Sequence, residues 1–228
     1  MPRIRVHSRS IAGLREADLE AERALLDEAE RERAGRFVFE SGRVEFTAVH
    51  ALVRTLLGRE LGADPRALRF VAQAYGKPAV WLDGAPAPVS FNLSHTAGMV
   101  AVAVGPADMA LGVDVENGER AVDLSIAESY FAPIETAWLM AKAEPDRRRA
   151  FTTLWTLKEA FIKATGKGLS QELDRFWFAD PSQIPIRIGF RDEDAGQADE
   201  WRFEHRILGE HHHLSVGWRG PGEVEWID

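Results

Sequence analysis

Two α+β halves in tandem are what this chain predicts, and three observations predict them. Helical spacing dominates the first sixty residues, period-two patterning and short apolar runs take over up to Glu116, and the same order then starts again. A length of 228 residues allows one large domain or two small ones. With 45% hydrophobic and 28% charged residues the composition is that of a folded globular protein. The 28 Lys and Arg against 36 Asp and Glu leave a net charge of −8. That balance argues against a general nucleic-acid or anionic-membrane binder, so any anion site must be local. The lack of cysteine removes disulfides, thiolate nucleophiles and zinc–thiolate sites together, and fits a reducing compartment. The first twenty residues have no continuous apolar core of a secretory leader, and no stretch approaches the roughly 18 apolar residues of a membrane span. A cytoplasmic protein is the expectation.

In chain order, Glu16 to Arg36 is charged at nearly every other position and carries Leu19, Leu25 and Leu26, which reads as a surface helix with a narrow apolar stripe. Phe46, Val49, Val53 and Leu56 repeat at helical spacing and stop before Gly58, a glycine end. Asp64 and Pro65 form an N-cap and first turn of a short helix. Strands are expected at Arg69–Gln73, Ala79–Leu82, Ser90–Ser94, Met99–Val104 and Ala110–Glu116, closed by the Asn117-Gly118 turn. The second half starts with helical patterns at Leu124–Phe131 and after Pro133. A long helix follows, with Leu154, Leu157, Phe161 and Ala164 on one face and Gly166 and Gly168 at its end. Strand-like runs close the chain at Arg175–Phe178, Ile184–Phe190, Trp201–His205 and His212–Trp218, around a solvated acidic loop at Asp192–Glu200. The halves meet near residues 112 to 118, giving units 1–112 and 113–228.

Four stretches could carry chemistry. In Leu111-Gly112-Val113-Asp114-Val115-Glu116 a strand puts the apolar residues on one face and both carboxylates on the other. Side by side, Asp114 and Glu116 repel each other unless a hard dication lies between them; the alternative is an edge strand whose acids face water. In Trp155-Thr156-Leu157-Lys158-Glu159-Ala160-Phe161-Ile162-Lys163, Glu159 and Lys163 sit at i, i+4, a pair that also serves simply to stabilise a helix. Lys158, between Trp155 and Phe161, needs an anionic partner, and a bound phosphate could be that partner. Phe91-Asn92-Leu93-Ser94-His95-Thr96 ends a strand with three polar donors, either an anion site or a capped turn. Ser94 and His95 point to opposite faces and no G-x-S-x-G turn accompanies them, so nucleophilic catalysis is not expected. Tyr75-Gly76-Lys77-Pro78 is a turn in which Lys77 alone hints at more. The run His211-His212-His213 could place two imidazoles on one strand face but offers no third metal ligand, and Trp177, Trp201, Trp218 and Trp226 read as packing residues.

Taken together and in this order, Gly76-Lys77-Pro78, Phe91-Asn92-Leu93-Ser94-His95, Gly112-Val113-Asp114-Val115-Glu116 and Trp155 to Lys163, followed by Ala164-Thr165-Gly166-Lys167-Gly168-Leu169, resemble the Sfp-type 4′-phosphopantetheinyl transferases from about Arg31 to about Leu173. The resemblance implies two similar α+β halves in pseudo-twofold arrangement within a monomer. It also implies transfer of the phosphopantetheine arm of coenzyme A to a serine of an apo acyl or peptidyl carrier protein, releasing adenosine 3′,5′-bisphosphate. Through it, Asp114, Glu116 and Glu159 become ligands of Mg2+, and Lys158 and Lys163 flank the pyrophosphate. Ser94 and His95 contact the 3′-phosphate, and Lys77 and Pro78 lie beside the adenine. Glu159 could be metal ligand, general base or both. The family's basic residues in the first half have their nearest equivalents in Arg31, Arg33, Arg36 and Arg43, of which Arg33 and Arg43 are the candidate coenzyme A contacts. Glu45 stands where a second arginine is common, and Glu135 matches an acidic position whose role stays open. A non-catalytic coenzyme A or carrier-protein binding module is the alternative, against which the intact acidic set counts. A magnesium-dependent nucleotide hydrolase would need a P-loop, which the sequence lacks.

Overall fold

The computed structural model describes residues 1–73, 76–168, 171–191 and 198–227. Strand β1 (Arg3–Ser10) is followed by a 3-10 turn, α1 (Glu20–Arg23), α2 (Glu28–Gly35) and the long α3 (Glu40–Leu61). Next come β2 (Arg69–Ala72), β3 (Pro78–Leu82), β4 (Ala85–Pro86), β5 (Val89–Thr96), β6 (Met99–Pro106) and β7 (Leu111–Asn117). The second half contains α4 (Ser125–Tyr130), α5 (Pro133–Met140) and the long α6 (Glu144–Thr165). It ends with β8 (Phe176–Trp177), β9 (Gly189–Phe190), β10 (Trp201–Leu208), β11 (His212–Arg219) and β12 (Glu223–Ile227).

Two main sheets, ordered β12-β1-β6-β5 and β10-β11-β7, each carry one long helix. Alternation explains how one strand serves two cores. In β6, Val100, Val102 and Val104 pack under α3 against Val49, Val53 and Leu57. Ala101 and Ala103, pointing the other way, meet Ile4 and Val6 of β1 and Val113, Val115, Leu214 and Val216 of the second sheet. On its outer face the second sheet is covered by α6, whose Leu154, Leu157 and Phe161 join Phe176, Phe178, Trp201 and Phe203. The architecture is α+β, with two helix-on-sheet layers back to back. Among the described residues no helix is long and apolar enough to cross a membrane.

Several local readings change. The helix expected from Glu16 to Arg36 is broken in two, because Asp27 accepts a hydrogen bond from the Glu30 amide while Glu30 reaches back to the Asp27 amide, a capping box that restarts the chain as α2. Helix α3 runs past Gly58 to Gly62, which adopts φ +62°. Gly58 is instead a packing glycine: a Cβ there would lie 2.9 Å from the Ala63 carbonyl oxygen. The edge pair β8 and β9 is shorter than the apolar runs suggested. Strands β1 and β12 carry no long-range signal in the sequence, yet they pair in parallel with Arg3 opposite Glu223 and His7 opposite Ile227. The expected division after residue 112 falls inside β7, and the chain's last strand completes the first sheet. Tyr75, Leu169 and most of the acidic loop lie outside the described residues.

One buried cation organises the first half around the site. Arg54 on α3 has no solvent exposure. It donates to Asp27 and Glu30 at 2.7 Å each and to the carbonyls of Pro65 and Leu68 at 2.9 and 3.2 Å. Against the upward push of burial, bonds from His50, the Asp27 amide and Arg54 hold the Glu30 carboxyl below its ordinary range. Replacing Arg54 by Leu should cost about 3 kcal/mol of unfolding free energy, because two acids then lose a desolvated partner. Urea denaturation checks this, and a loss below about 1 kcal/mol would contradict it.

Candidate active site

Strand β7 and helix α6 build the centre of the site, and their approach is set by one missing side chain. A Cβ at Gly112 would lie 2.0 Å from the Ala160 carbonyl oxygen and 2.5 Å from the Ala164 amide nitrogen, so only glycine lets α6 rest on β7 here. Leu111, Val113 and Val115 turn into the core between the sheets, leaving Asp114 and Glu116 beneath α6. Helix spacing brings Glu159 and Lys163 over them. The Lys163 ammonium donates to Asp114 Oδ1 at 2.7 Å and to Ser94 Oγ at 3.0 Å. Asp114 is 4% exposed, and its second oxygen, Oδ2, is buried without a hydrogen-bond partner.

Burial and the Asp114 charge push Glu116 above the ordinary carboxylate range, opposed by Thr96, Arg120 and Lys163. Glu159 is raised in the same way, first by burial, then by Asp114. Such crowding favours an arriving cation, and hard carboxylate oxygens suit a magnesium-type ion. The orphaned Asp114 oxygen is the group that such an ion would satisfy. Among the described residues no three Asp, Glu or His side chains are already gathered into a metal-ligand arrangement. The fit therefore rests on the donor chemistry and on that oxygen.

A cleft of about 600 Å³ opens beside these residues, between the halves. The first half lines it with Arg33, Phe46, His50, Lys77, Pro78 and His95, and the second with Glu159 and Lys163. The Arg33 guanidinium lies 5.5 Å above the Phe46 ring, which stacks on His50 at 3.9 Å. His95 Nδ1 is 3.0 Å from Glu45 Oε2. Lys77 does not extend freely into the cleft, since its ammonium donates to the Leu111 carbonyl at 2.9 Å and the Ala164 carbonyl at 3.3 Å, clasping the two halves. Burial lowers its pKa to about 8. A second, smaller recess of about 280 Å³ adjoins Glu116 and is walled by Val122, Ile126, Phe151 and Trp155.

Three of the sequence-derived roles need correction. Lys158 is fully buried, and its anion is not a phosphate: the ammonium lies 2.7 Å from Glu135 Oε2 and donates to the carbonyls of Leu173 and Phe176 at 2.8 Å each. Burial drives the Glu135 carboxyl up and the Lys158 ammonium down, and their mutual attraction opposes both shifts. Glu135 thereby gains the role that the sequence left open. Ser94 does not share a face with His95, as strand alternation requires. Its hydroxyl donates to Asp114 at 2.8 Å and accepts from the Val115 amide and from Lys163, so in the ligand-free site it is engaged with the acid and its lysine. Arg43 stands outside the cleft lining, bonded to Glu16 and to the carbonyls of Phe37 and Val38.

Sequence reasoning picked out Thr96 as a polar donor but not its bond to Glu116, and it missed the stacked pair Phe46 and His50, whose i, i+4 spacing on α3 was the available signal. In the histidine run, His212 meets the Ala97 carbonyl and His213 meets Thr153. Burial and Arg149 lower the pKa of His213 to about 4, and burial, His213 and Arg149 lower that of His205 to about 3, so both are neutral packing groups.

The two possible roles of Lys158 separate cleanly. Lys158→Met in the ligand-free protein should lose about 3–5 kcal/mol in urea unfolding, because Glu135 is left as an unpaired buried acid. A phosphate ligand would leave that stability untouched, so an unchanged midpoint would restore the phosphate role.

Comparison with known proteins agrees with this geometry. Residues 110–216 match the 4′-phosphopantetheinyl transferase superfamily, and residues 15–107 match the family described as 4′-phosphopantetheinyl transferase, N-terminal. The 4′-phosphopantetheinyl transferase HetI of Nostoc sp. is 34% identical over 157 residues, covering 68% of this chain and 66% of that one. The Sfp enzyme of Bacillus subtilis is 34% identical over 146 residues, 64% of this chain and 62% of its own. A Synechocystis sp. protein provisionally named for the same activity is 30% identical over 186 residues, 81% of this chain and 73% of its own. The matched segments thus span just under two thirds of the first two relatives and more of the third. With both halves matched in order, and the glycine, acids and lysine of β7 and α6 within the longer match, the chain belongs to the 4′-phosphopantetheinyl transferase superfamily.

Proposed function

We propose that the chain transfers the 4′-phosphopantetheine arm of coenzyme A to a serine hydroxyl of an apo acyl or peptidyl carrier protein. The carrying observation is that Glu159 and Lys163 line a cleft shared by both halves while Lys163 pairs with Asp114 behind it. In the reaction the serine oxygen bonds to the phosphorus that bears the pantetheine arm. The bond from that phosphorus to the bridging oxygen breaks, and adenosine 3′,5′-bisphosphate leaves. Magnesium held by Asp114, Glu116 and Glu159 would supply positive charge to the pyrophosphate. Lys163, already turned toward Asp114, holds the pyrophosphate in place. Glu159, whose carboxyl burial and Asp114 raise above the ordinary range, is suited to take the serine proton directly or through a water. Arg33 and His95 face the anionic end of the nucleotide, and Lys77 and Pro78 flank the adenine. Both walls of the cleft come from one chain, which supports action as a monomer. A pure binding module would not need Asp114 to keep a buried unbonded oxygen.

Mass spectrometry of a panel of apo carriers incubated with the protein, coenzyme A and Mg2+ tests this, with one phosphopantetheine added to at least one carrier as the expected result. Asp114→Ala should lower the transfer rate at least about 100-fold, the scale of losing a transition-state electrostatic group. No added mass on any carrier, or an undiminished rate in the variant, would count against the assignment.

Carrier recognition should rest on apolar contact. Phe37 lines the cleft, the next two residues are exposed, Val38 84% and Phe39 75%, and Arg43 braces the loop by bonding the carbonyls of Phe37 and Val38. With a net charge of −8, long-range attraction for an acidic carrier is not available. Phe39→Ser should raise the KM for the carrier about tenfold. Raising salt from about 50 to about 200 mM should change it less than threefold. A tenfold salt effect with no effect of Phe39→Ser would reverse the conclusion and turn attention to Arg31, Arg33 and Arg36.

A further inference from the structure

Strands β5 and β7 lie side by side in different sheets, β5 paired with β6 and β7 with β11. Polar side chains of β5 bridge the gap. Asn92 Oδ1 accepts the Val113 amide at 2.8 Å, Ser94 Oγ accepts the Val115 amide at 3.2 Å, and Thr96 Oγ1 donates to Glu116 Oε2 at 3.1 Å. All three are buried. These bonds satisfy backbone donors that no strand neighbour reaches, and they also handle the two acids.

We propose that Ser94 and Thr96 are positioning residues that orient the carboxylates of Asp114 and Glu116 for a divalent cation; this rests on the transferase reading above. Bond capacity decides the case for Ser94. A hydroxyl has one proton and two lone pairs, and here the proton goes to Asp114 Oδ1 while the lone pairs take the Val115 amide and the Lys163 ammonium. Oδ1 therefore receives both Ser94 and Lys163, and Oδ2 is the oxygen left open. Ser94 thus selects which Asp114 oxygen can bind a cation, and it fixes the carboxylate's rotation. Thr96 acts likewise on Glu116, fixing its carboxylate by the bond from Oγ1 to Oε2. The first half of the chain in this way orients acids that belong to the second. Outer hydrogen-bond partners of ligating carboxylates are worth about 10–100-fold in metal affinity.

The test uses Mn2+ as the probe, titrated by electron paramagnetic resonance into the wild type, Ser94→Ala, Thr96→Val and Thr96→Ser without coenzyme A or carrier. The expected result is an about tenfold loss of Mn2+ affinity in Ser94→Ala and Thr96→Val, with Thr96→Ser within about twofold of the wild type because it keeps the hydroxyl. Coenzyme A binding measured by calorimetry without metal should not distinguish Ser94→Ala from the wild type. If Ser94→Ala does not fold, the two Thr96 variants still decide the question. Equal Mn2+ affinity in all folded variants, absent Mn2+ binding by the wild type, or equal losses in Thr96→Val and Thr96→Ser would overturn the proposal. So would a loss of coenzyme A affinity in Ser94→Ala that spares 3′-dephospho-coenzyme A, which would return Ser94 to a phosphate. Failure of the transferase reading itself shows separately, as absence of transfer by the wild type to any apo carrier.

Discussion

A backbone carbonyl of α6 occupies the space where any side chain at position 112 would begin. That contact sets the distance between α6 and β7, and the chemistry depends on it. At ordinary helix-on-sheet spacing Glu159 and Lys163 would stand away from Asp114 and Glu116. With glycine, Lys163 reaches Asp114, and burial together with the Asp114 charge raises both Glu116 and Glu159. The like charges are tolerated because Lys163 already neutralises one of them and because a dication can neutralise more.

Two fully buried cations are matched locally. Arg54 is divided between two acids and two carbonyls, and Lys158 between one acid and two carbonyls. Lys77 donates to two carbonyls, and burial lowers its pKa to about 8. Asp114 keeps one buried oxygen unbonded, and that oxygen is the group a cation would satisfy. The same contrast separates structural from chemical groups in the long motif of α6: Lys158 faces the helix's own half, and one residue further Glu159 faces the cleft.

The division of labour between the halves is equally physical. The first supplies the stacked wall of Phe46 and His50, the exposed loop at Phe37 to Phe39 and the bridging side chains of β5. The second supplies the acids and Lys163. Lys77 and Ser94 each bond across the junction, so loosening that junction would disturb the site even with every acid in place.

The sequence by itself determined the order of the elements between Glu16 and Trp218, the helix-on-sheet repeat and the acidic row, but not the first and last strands. Alternation in β7 and the i, i+4 spacing of Glu159 and Lys163 are local properties that survive in any fold containing them. Local signals also placed Gly166 at the end of α6 correctly, whereas Gly58 misled because a glycine required for close packing looks like one that ends a helix. Tertiary structure alone decided the rest. It set β12 beside β1, gave Lys158 a buried acid instead of a phosphate, and turned Ser94 toward Asp114 while His95 met Glu45. Each of these depends on which group from a distant part of the chain fills the remaining hydrogen bond or neutralises the charge, and that partner is fixed only when the sheets pack.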